Sequence, residues 1–305
     1  MGRFAPDELR SHFASNLSCF PVTHATDDFE FDRDGYTDHL ELLSGFRPAA
    51  ITAPGGTGEF FSLRLDEVAE VLRAAVAVAP EHSAVLGSAG YGTSTAIALA
   101  RDAEDAGADG LFLLPPYLTE FDQRGLIEHV KAVCAATSLG VLVYHRDRAR
   151  FTVDSVTELA EACPNFIAFK DGIGDIDLMA KLSARLGDRL ALIDGMPTAE
   201  INAAAYLAVG CQTYSSAVFN FVPEWAIGFH DAVTSGDGAE VSRRLNSFVI
   251  PLLAIRDRRP GYAVSIIKAG MRAVGRSAGP TRLPLVDLLP DEYDEVASLV
   301  QAVAA

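Results

Sequence analysis

Lysine is scarce in this chain: of its 25 basic residues only Lys131, Lys170, Lys181 and Lys268 carry an amine. Chemistry that needs a side-chain amine therefore has few places to reside. Basic charge is short as a whole, with 25 lysines and arginines against 41 aspartates and glutamates and a net charge of −16. No basic cluster stands out from that balance, which argues against nucleic acid or an anionic membrane as partner. A small anionic substrate is still compatible, because a local pocket can be positive inside an acidic protein. Cysteine is sparse and scattered; Cys19, Cys134, Cys163 and Cys211 show no paired spacing of the kind that marks zinc or a redox dithiol, so a reducing compartment is expected. The first residues hold no apolar signal core and no apolar run approaches a membrane span, which predicts a soluble, cytoplasmic protein. The histidines His12, His24, His39, His82, His129, His145 and His230 never fall at ligand spacing with a carboxylate partner, so no metal is expected, and nothing asks for a cofactor.

What the chain has is regular alternation. Hydrophobic residues make up 49% of it, enough for a sizeable core. After a short helix over 6–13, strands are expected over 17–22, 49–53, 84–87, 110–114, 140–145, 166–170, 190–194 and 211–215. Helices follow each in turn, over 35–45, 65–78, 93–106, 122–137, 153–163, 176–186, 198–209 and 221–234. Strands alternating with helices imply right-handed crossovers and a parallel sheet. Eight such units predict an α/β fold closed into a (β/α)8 TIM barrel. A doubly wound open sheet is the alternative, but no Gly-x-Gly-x-x-Gly follows the first strand, so nucleotide binding has no support. Beyond Gly236 the pattern is helical only, over 239–255, 262–274 and 291–303. The expected organisation is a barrel over 1–235 with a short lead-in and a C-terminal helical segment of about three helices over 236–305.

The centre of interest is Phe166-Ile167-Ala168-Phe169-Lys170-Asp171-Gly172, an apolar run that stops at a lysine. Burial lowers an amine's pKa from about 10.4 toward neutrality, which makes Lys170 a candidate nucleophile for a carbonyl substrate. A lysine at a strand end can equally snorkel into water. Lys268 follows Ile266-Ile267 within a helical pattern and is the runner-up.

In a parallel barrel the site is built at the carboxyl ends of the strands. The second strand delivers Pro54-Gly55-Gly56-Thr57-Gly58-Glu59, whose glycines let the backbone approach a ligand and expose successive N–H groups, a nest for a carboxylate or phosphate. Gly56, Thr57 and Gly58 are the residues expected to bind there. The fourth strand ends in Pro115-Pro116-Tyr117, the fifth in Tyr144-His145-Arg146, the seventh in Asp194-Gly195 and the eighth in Ser215-Ser216. Tyr144 lies one strand from Lys170 and can relay protons to and from an imine or enamine. His145 alternates to the opposite face and is expected to pack. Arg146, Arg148 and Arg150 form a short basic segment, from which Arg150 is taken as the residue that holds a substrate carboxylate.

At these residues the sequence resembles the dihydrodipicolinate synthase and N-acetylneuraminate lyase family of class I aldolase-type barrels. The resemblance rests on Gly56-Thr57-Gly58-Glu59, Pro116-Tyr117, Tyr144 and Lys170, and spans the chain from Phe20 to its end. Longer strings are similar to its 5-dehydro-4-deoxyglucarate dehydratase branch: Gly55 through Leu63, Phe169-Lys170-Asp171-Gly172 with Gly174-Asp175-Ile176, Pro197-Thr198-Ala199-Glu200, Tyr214 through Pro223 and Gly261 through Ser265. The resemblance implies that Lys170 forms a Schiff base, that Tyr144 shuttles protons, and that the Gly56-Thr57 segment binds the carboxylate next to the ketone. It implies a 2-keto-dicarboxylate substrate, loss of water and CO2 without a cofactor, and a homodimer or homotetramer. Gly56 and Pro116 depart from the synthases, which usually carry a hydroxyl residue and a second tyrosine there; Pro54 and His145 depart from the dehydratase branch. A retro-aldolase or condensing synthase using the same lysine is the alternative within the enzyme class. A keto-acid-binding barrel without turnover is the alternative outside it.

Overall fold

The computed structural model describes residues 2–117 and 120–304. Eight parallel strands close into a barrel in chain order: β1 Ser18–Cys19, β2 Ala50–Thr52, β3 Ala84–Ala89, β4 Gly110–Leu113, β5 Gly140–His145, β6 Phe166–Asp171, β7 Ala191–Asp194 and β8 Thr213–Ser216. Helix α1, Pro6–His12, precedes them and packs against β5 and β6. The surrounding helices are α2 Arg33–Ser44, α3 Leu65–Val78, α4 Thr93–Asp105, α5 Gln123–Cys134, α6 Val153–Ala162, α7 Ile176–Leu186, α8 Ala203–Ala208 and α9 Pro223–Thr234. The expected (β/α)8 architecture is the one found. The strands are buried on both faces, by the lumen and by the helices, which is why β6 reads as an unbroken apolar run rather than an alternating one.

Three elements differ from the sequence expectation, each for an identifiable physical reason. The first strand shrinks to Ser18–Cys19, because Pro21 has no N–H to donate and the Val22 N–H is taken by the Asn220 side chain at 3.0 Å. The expected helix over 198–209 breaks into a 3-10 turn, Ala199–Ile201, and the short α8. Thr198 sits at φ 56, and Arg256 holds that turn by donating to the Pro197 carbonyl at 2.8 Å and the Thr198 hydroxyl at 3.1 Å. The helix over 239–255 is interrupted by a π turn, Leu245–Val249, between α10 Gly238–Arg244 and α11 Ile250–Arg256. Pro251, which can supply no helical N–H, lies just beyond that turn. Helices α12 Tyr262–Ala273 and α13 Pro290–Gln301 complete the chain.

The C-terminal helices share a core with one side of the barrel. Leu17, Cys19, Tyr214, Phe221 and Trp225 form one apolar cluster with Phe248, Leu252, Ile266, Met271, Val296 and Val300. A buried charge network runs alongside it. Lys268 Nζ on α12 lies 2.7 Å from Glu59 Oε1 in the loop after β2 and donates to the Pro280 carbonyl at 2.8 Å. The other Glu59 oxygen accepts the Arg282 N–H at 2.7 Å, and the Arg282 guanidinium pairs with Glu67 of α3 at 2.9 Å. Lys268, the second-choice amine of the sequence, is thus an ion-paired structural residue. Among the described residues, no helix is long and apolar enough to cross a membrane.

Removing one partner of a buried pair leaves the other uncompensated, at a cost of about 3–5 kcal/mol. Lys268→Met should therefore lower the denaturant midpoint markedly, and Lys268→Met combined with Glu59→Gln should recover part of the loss in the same unfolding titration. Two variants with additive losses would show that the pair is not coupled.

Candidate active site

Lys170 lies in β6 and is buried at 4% exposure, so the snorkelling alternative is excluded. Its register partner on β5 is Tyr144 and on β7 is Ile193. Paired residues of neighbouring strands share a face, which puts the amine and the phenol together in the lumen. Three ring centres surround the amine nitrogen: Phe20 at 3.8 Å, Tyr144 at 4.8 Å and Phe112 at 5.3 Å. Among the described residues it has no ion-pair partner. Burial pushes the Lys170 pKa down to about 7, with the charge of Asp194 raising it and that of Arg146 lowering it.

Two glycines make this arrangement possible. A Cβ on Gly195 would come within 2.5 Å of both Cγ and Cε of Lys170, and one on Gly172 within 2.5 Å of the Tyr144 hydroxyl. The phenol donates to the Gly195 carbonyl at 2.9 Å. Burial raises its pKa to about 12, with Arg146 opposing, so at neutral pH it is a proton donor. The Asp171-Gly172 turn of the diagnostic string is structural. Asp171 accepts the N–H groups of Ile173 and Asp175 and the Tyr206 hydroxyl at 2.6 Å, while Asp175 caps α7 through the Leu178 N–H.

The remaining predicted residues divide. Gly56 is exposed and Thr57 half-buried at the rim, and Gly58 is buried, its carbonyl accepting the Thr23 hydroxyl at 2.6 Å. A Cβ on Gly56 would meet nothing within 4 Å, so this position is open to a ligand. Gly55, beside it, lies directly on the Phe20 ring, where a Cβ would be 2.5 Å from Cδ1. Ser215 is buried with its hydroxyl 3.5 Å from the Asp194 carbonyl. The Ser216 hydroxyl is engaged on the other face, donating to Glu200 at 2.5 Å and accepting the Phe219 N–H. Tyr117 is 58% exposed, at the edge of an aromatic group with Phe61 and Tyr91. Arg150 is also exposed, and its guanidinium donates to the Asp147 carbonyl. The arginine whose charge reaches Lys170 and Tyr144 is Arg146, held to the Gly172 carbonyl. His145 packs as expected, its ring against Phe151 and Phe169 and its Nδ1 accepting the Phe151 N–H.

Sequence reasoning missed two carboxyls behind the strand ends. Asp194 pairs in register with Asp171 and is fully buried; Oδ1 accepts the Met196 N–H, and Oδ2 has no partner. Glu200 is equally buried, with Oε2 unpartnered. Burial pushes each up to about 7. Asp194 had the same signal as Lys170, a charged residue ending an apolar strand. Glu200 had none, because its burial depends on the broken helix. Among the described residues, no group of three or more His, Cys, Asp or Glu side chains is placed to hold a metal ion.

A lysine whose folded pKa is about 7 is charged in both folded and unfolded protein below that value, and the penalty for burying the cation is then fully present. Between about 7 and the unfolded value near 10.4 the unfolded chain binds the extra proton, so stability rises with pH. Lys170→Met should accordingly raise Tm, by more at pH 6 than at pH 9. Melts showing the larger gain at pH 9 would contradict the burial argument.

Comparison with known proteins gives a consistent placement. Residues 15–303 match the model of the dihydrodipicolinate synthetase family. A protein of Saccharopolyspora erythraea named a probable 5-dehydro-4-deoxyglucarate dehydratase is 54% identical over 305 residues, 100% of this chain and 99% of that one. One of the same name from Rhodococcus opacus is 52% identical over 300 residues, 98% and 99% of the two chains. Among solved structures, the dihydrodipicolinate synthase of Oceanobacillus iheyensis superposes with a TM-score of 0.88 at 25% identity, covering 97% of this chain and 98% of that one. That of Bacillus clausii gives 0.87 at 26%, covering 96% and 99%. With its barrel and nearly its whole length so matched, the chain belongs to the dihydrodipicolinate synthetase family.

Proposed function

We propose that this protein is a decarboxylating hydro-lyase that converts 5-dehydro-4-deoxy-D-glucarate to 2,5-dioxopentanoate, water and CO2 through a lysine Schiff base. The observation that carries the reading is Lys170, a buried amine with a pKa near 7 and, among the described residues, no counter-ion, in a chain 52% and 54% identical over nearly its full length to two relatives named for this reaction. An amine half neutral at pH 7 is nucleophilic without a separate base.

Lys170 adds to the ketone and, with loss of water, forms an iminium. The iminium acidifies the adjacent methylene; loss of a proton there gives an enamine, which expels the neighbouring hydroxyl as water. The conjugated iminium that remains accepts the electrons of the distal C–C bond as CO2 departs. Protonation, tautomerisation and hydrolysis of the imine then release the dioxo product and the amine. Tyr144 carries the protons, exchanging its bond to the Gly195 carbonyl for one to substrate, and donates first because its pKa is near 12. The Gly56–Gly58 segment takes the carboxylate beside the ketone through backbone N–H groups and the Thr57 hydroxyl. Ser215 and Gly195 line the path of the departing hydroxyl. Arg146 serves the distal carboxylate better than Arg150, since its charge is the one felt at Lys170. Tyr117 closes the rim, and Ser216 acts through Glu200 rather than on substrate.

The same reading includes the division into a barrel over 1–235 and a helical segment over 236–305. It also includes assembly as a homodimer or homotetramer, and a cytoplasmic location.

Incubation with 5-dehydro-4-deoxy-D-glucarate should release CO2 and 2,5-dioxopentanoate in equal amounts. Borohydride should fix an adduct on Lys170, read by mass spectrometry. Lys170→Ala should abolish both signals, and Tyr144→Phe should slow turnover by about 10²–10⁴-fold. Carbon–carbon cleavage without CO2 would indicate a retro-aldolase. Full turnover by Lys170→Ala would rule out the imine.

A further inference from the structure

The nitrogen of Lys170 is enclosed by rings rather than by oxygens. Phe20 is the nearest, its centre 3.8 Å from Nζ, and Phe112 stands edge-on to it at a centroid distance of 5.4 Å. Phe20 is itself held firmly. The Asn220 side chain donates to its carbonyl at 3.0 Å and accepts the Val22 N–H, and the backbone of Gly55 lies against the ring. Phe20 and Phe112 are both buried, so neither ring is free to turn away.

We propose that Phe20, Phe112 and Tyr144 form an aromatic box that stabilises the cationic states of the Lys170 nitrogen, the substrate iminium above all, with Phe20 as its principal wall. The proposal rests on Lys170 being the imine-forming amine. A carboxylate in place of the rings would pair with the ammonium, hold it protonated and block attack. Ring faces attract a cation more weakly than a full counter-charge does, so the amine keeps a large neutral fraction with its lone pair available. In the step they assist, the neutral amine's lone pair forms the N–C bond. The ketone oxygen takes one of the two amine protons and one more from solution or Tyr144 and leaves as water, while the other amine proton stays on nitrogen. One proton is consumed and a positive charge remains on nitrogen. That charge sits where the box holds it until the methylene proton is lost and the neutral enamine forms. The two charges that reach this nitrogen are those of Asp194 and Arg146. They lie outside the box and are unchanged by substitution at position 20.

The test is borohydride trapping with pyruvate at one subsaturating concentration and at pH 9, where the free amine is neutral and only the iminium carries the charge. Wild-type protein is compared with Phe20→Leu and with a series in which Phe20 is replaced by mono-, di- and trifluorinated phenylalanine. Fluorination weakens the ring's attraction for a cation while nearly preserving its shape. The trapped fraction should fall stepwise along the series at constant Tm, and Phe20→Leu should lower the imine equilibrium roughly five- to thirty-fold. A flat fluorinated series overturns the box, whether Phe20→Leu is normal or impaired, because a purely steric wall would not respond to ring electronics. Wild-type protein that takes no adduct at Lys170 overturns the imine reading, and the box with it.

Discussion

The structure depends on burying one amine among aromatic rings with, among the described residues, no counter-ion. The fall of the Lys170 pKa from the usual lysine value to about 7 corresponds to roughly 5 kcal/mol against the charged form, a large part of the stability of an ordinary domain. Such a group is tolerated only where the surroundings cannot relax to solvate it. Closure of the barrel provides this, because a closed sheet has no edge at which water or a stray side chain can enter. Tyr144 from β5 and Ile193 from β7 flank the lysine in register, while Phe112 of β4 and Phe20 face it across the lumen. Gly172 and Gly195 remove the side chains that would collide with the phenol and the lysine stem.

Much of the architecture was legible because parallel strands buried on both faces are apolar without interruption, and eight such runs alternate with amphipathic helices. The helices over Leu65–Val78 and Ile176–Leu186 and the strand Gly140–His145 match expectation at both ends. Two of the differences arise where a distant group decides the local structure. Asn220 takes the N–H that would have extended the first strand, and Arg256 of α11 pins the turn that breaks the helix over 198–209. A sequence window holds neither partner.

The site was legible to the extent that topology alone determines it. Each strand of a parallel barrel delivers its last residues to one rim, so Lys170, Tyr144, Gly195 and Ser215 were identified by position. Side-chain direction was harder. Ser215 and Ser216 are adjacent, yet only the first can face the lumen while the second bonds Glu200. Arg146 and Arg150 lie four residues apart, yet Arg146 donates to the Gly172 carbonyl and Arg150 to the Asp147 carbonyl, a difference that sequence position does not reveal. The string Lys170-Asp171-Gly172 supports the resemblance as a whole, and its aspartate serves the turn and the Tyr206 hydroxyl.

The acidic balance of the chain also has a physical accommodation at the site. A dianionic substrate approaching a protein of net charge −16 needs local relief from repulsion. In the proposed mode of binding, the Gly56–Gly58 segment offers N–H dipoles and Arg146 a positive charge. Burial pushes the carboxyls of Asp194 and Glu200 up to about 7, so part of the negative charge behind the strand ends is absent at neutrality. The Glu59–Lys268 pair acts in the same direction, because the carboxylate adjoining the nest is neutralised by a buried ammonium from α12. The C-terminal helices thereby enter the electrostatics of the barrel mouth as well as its packing.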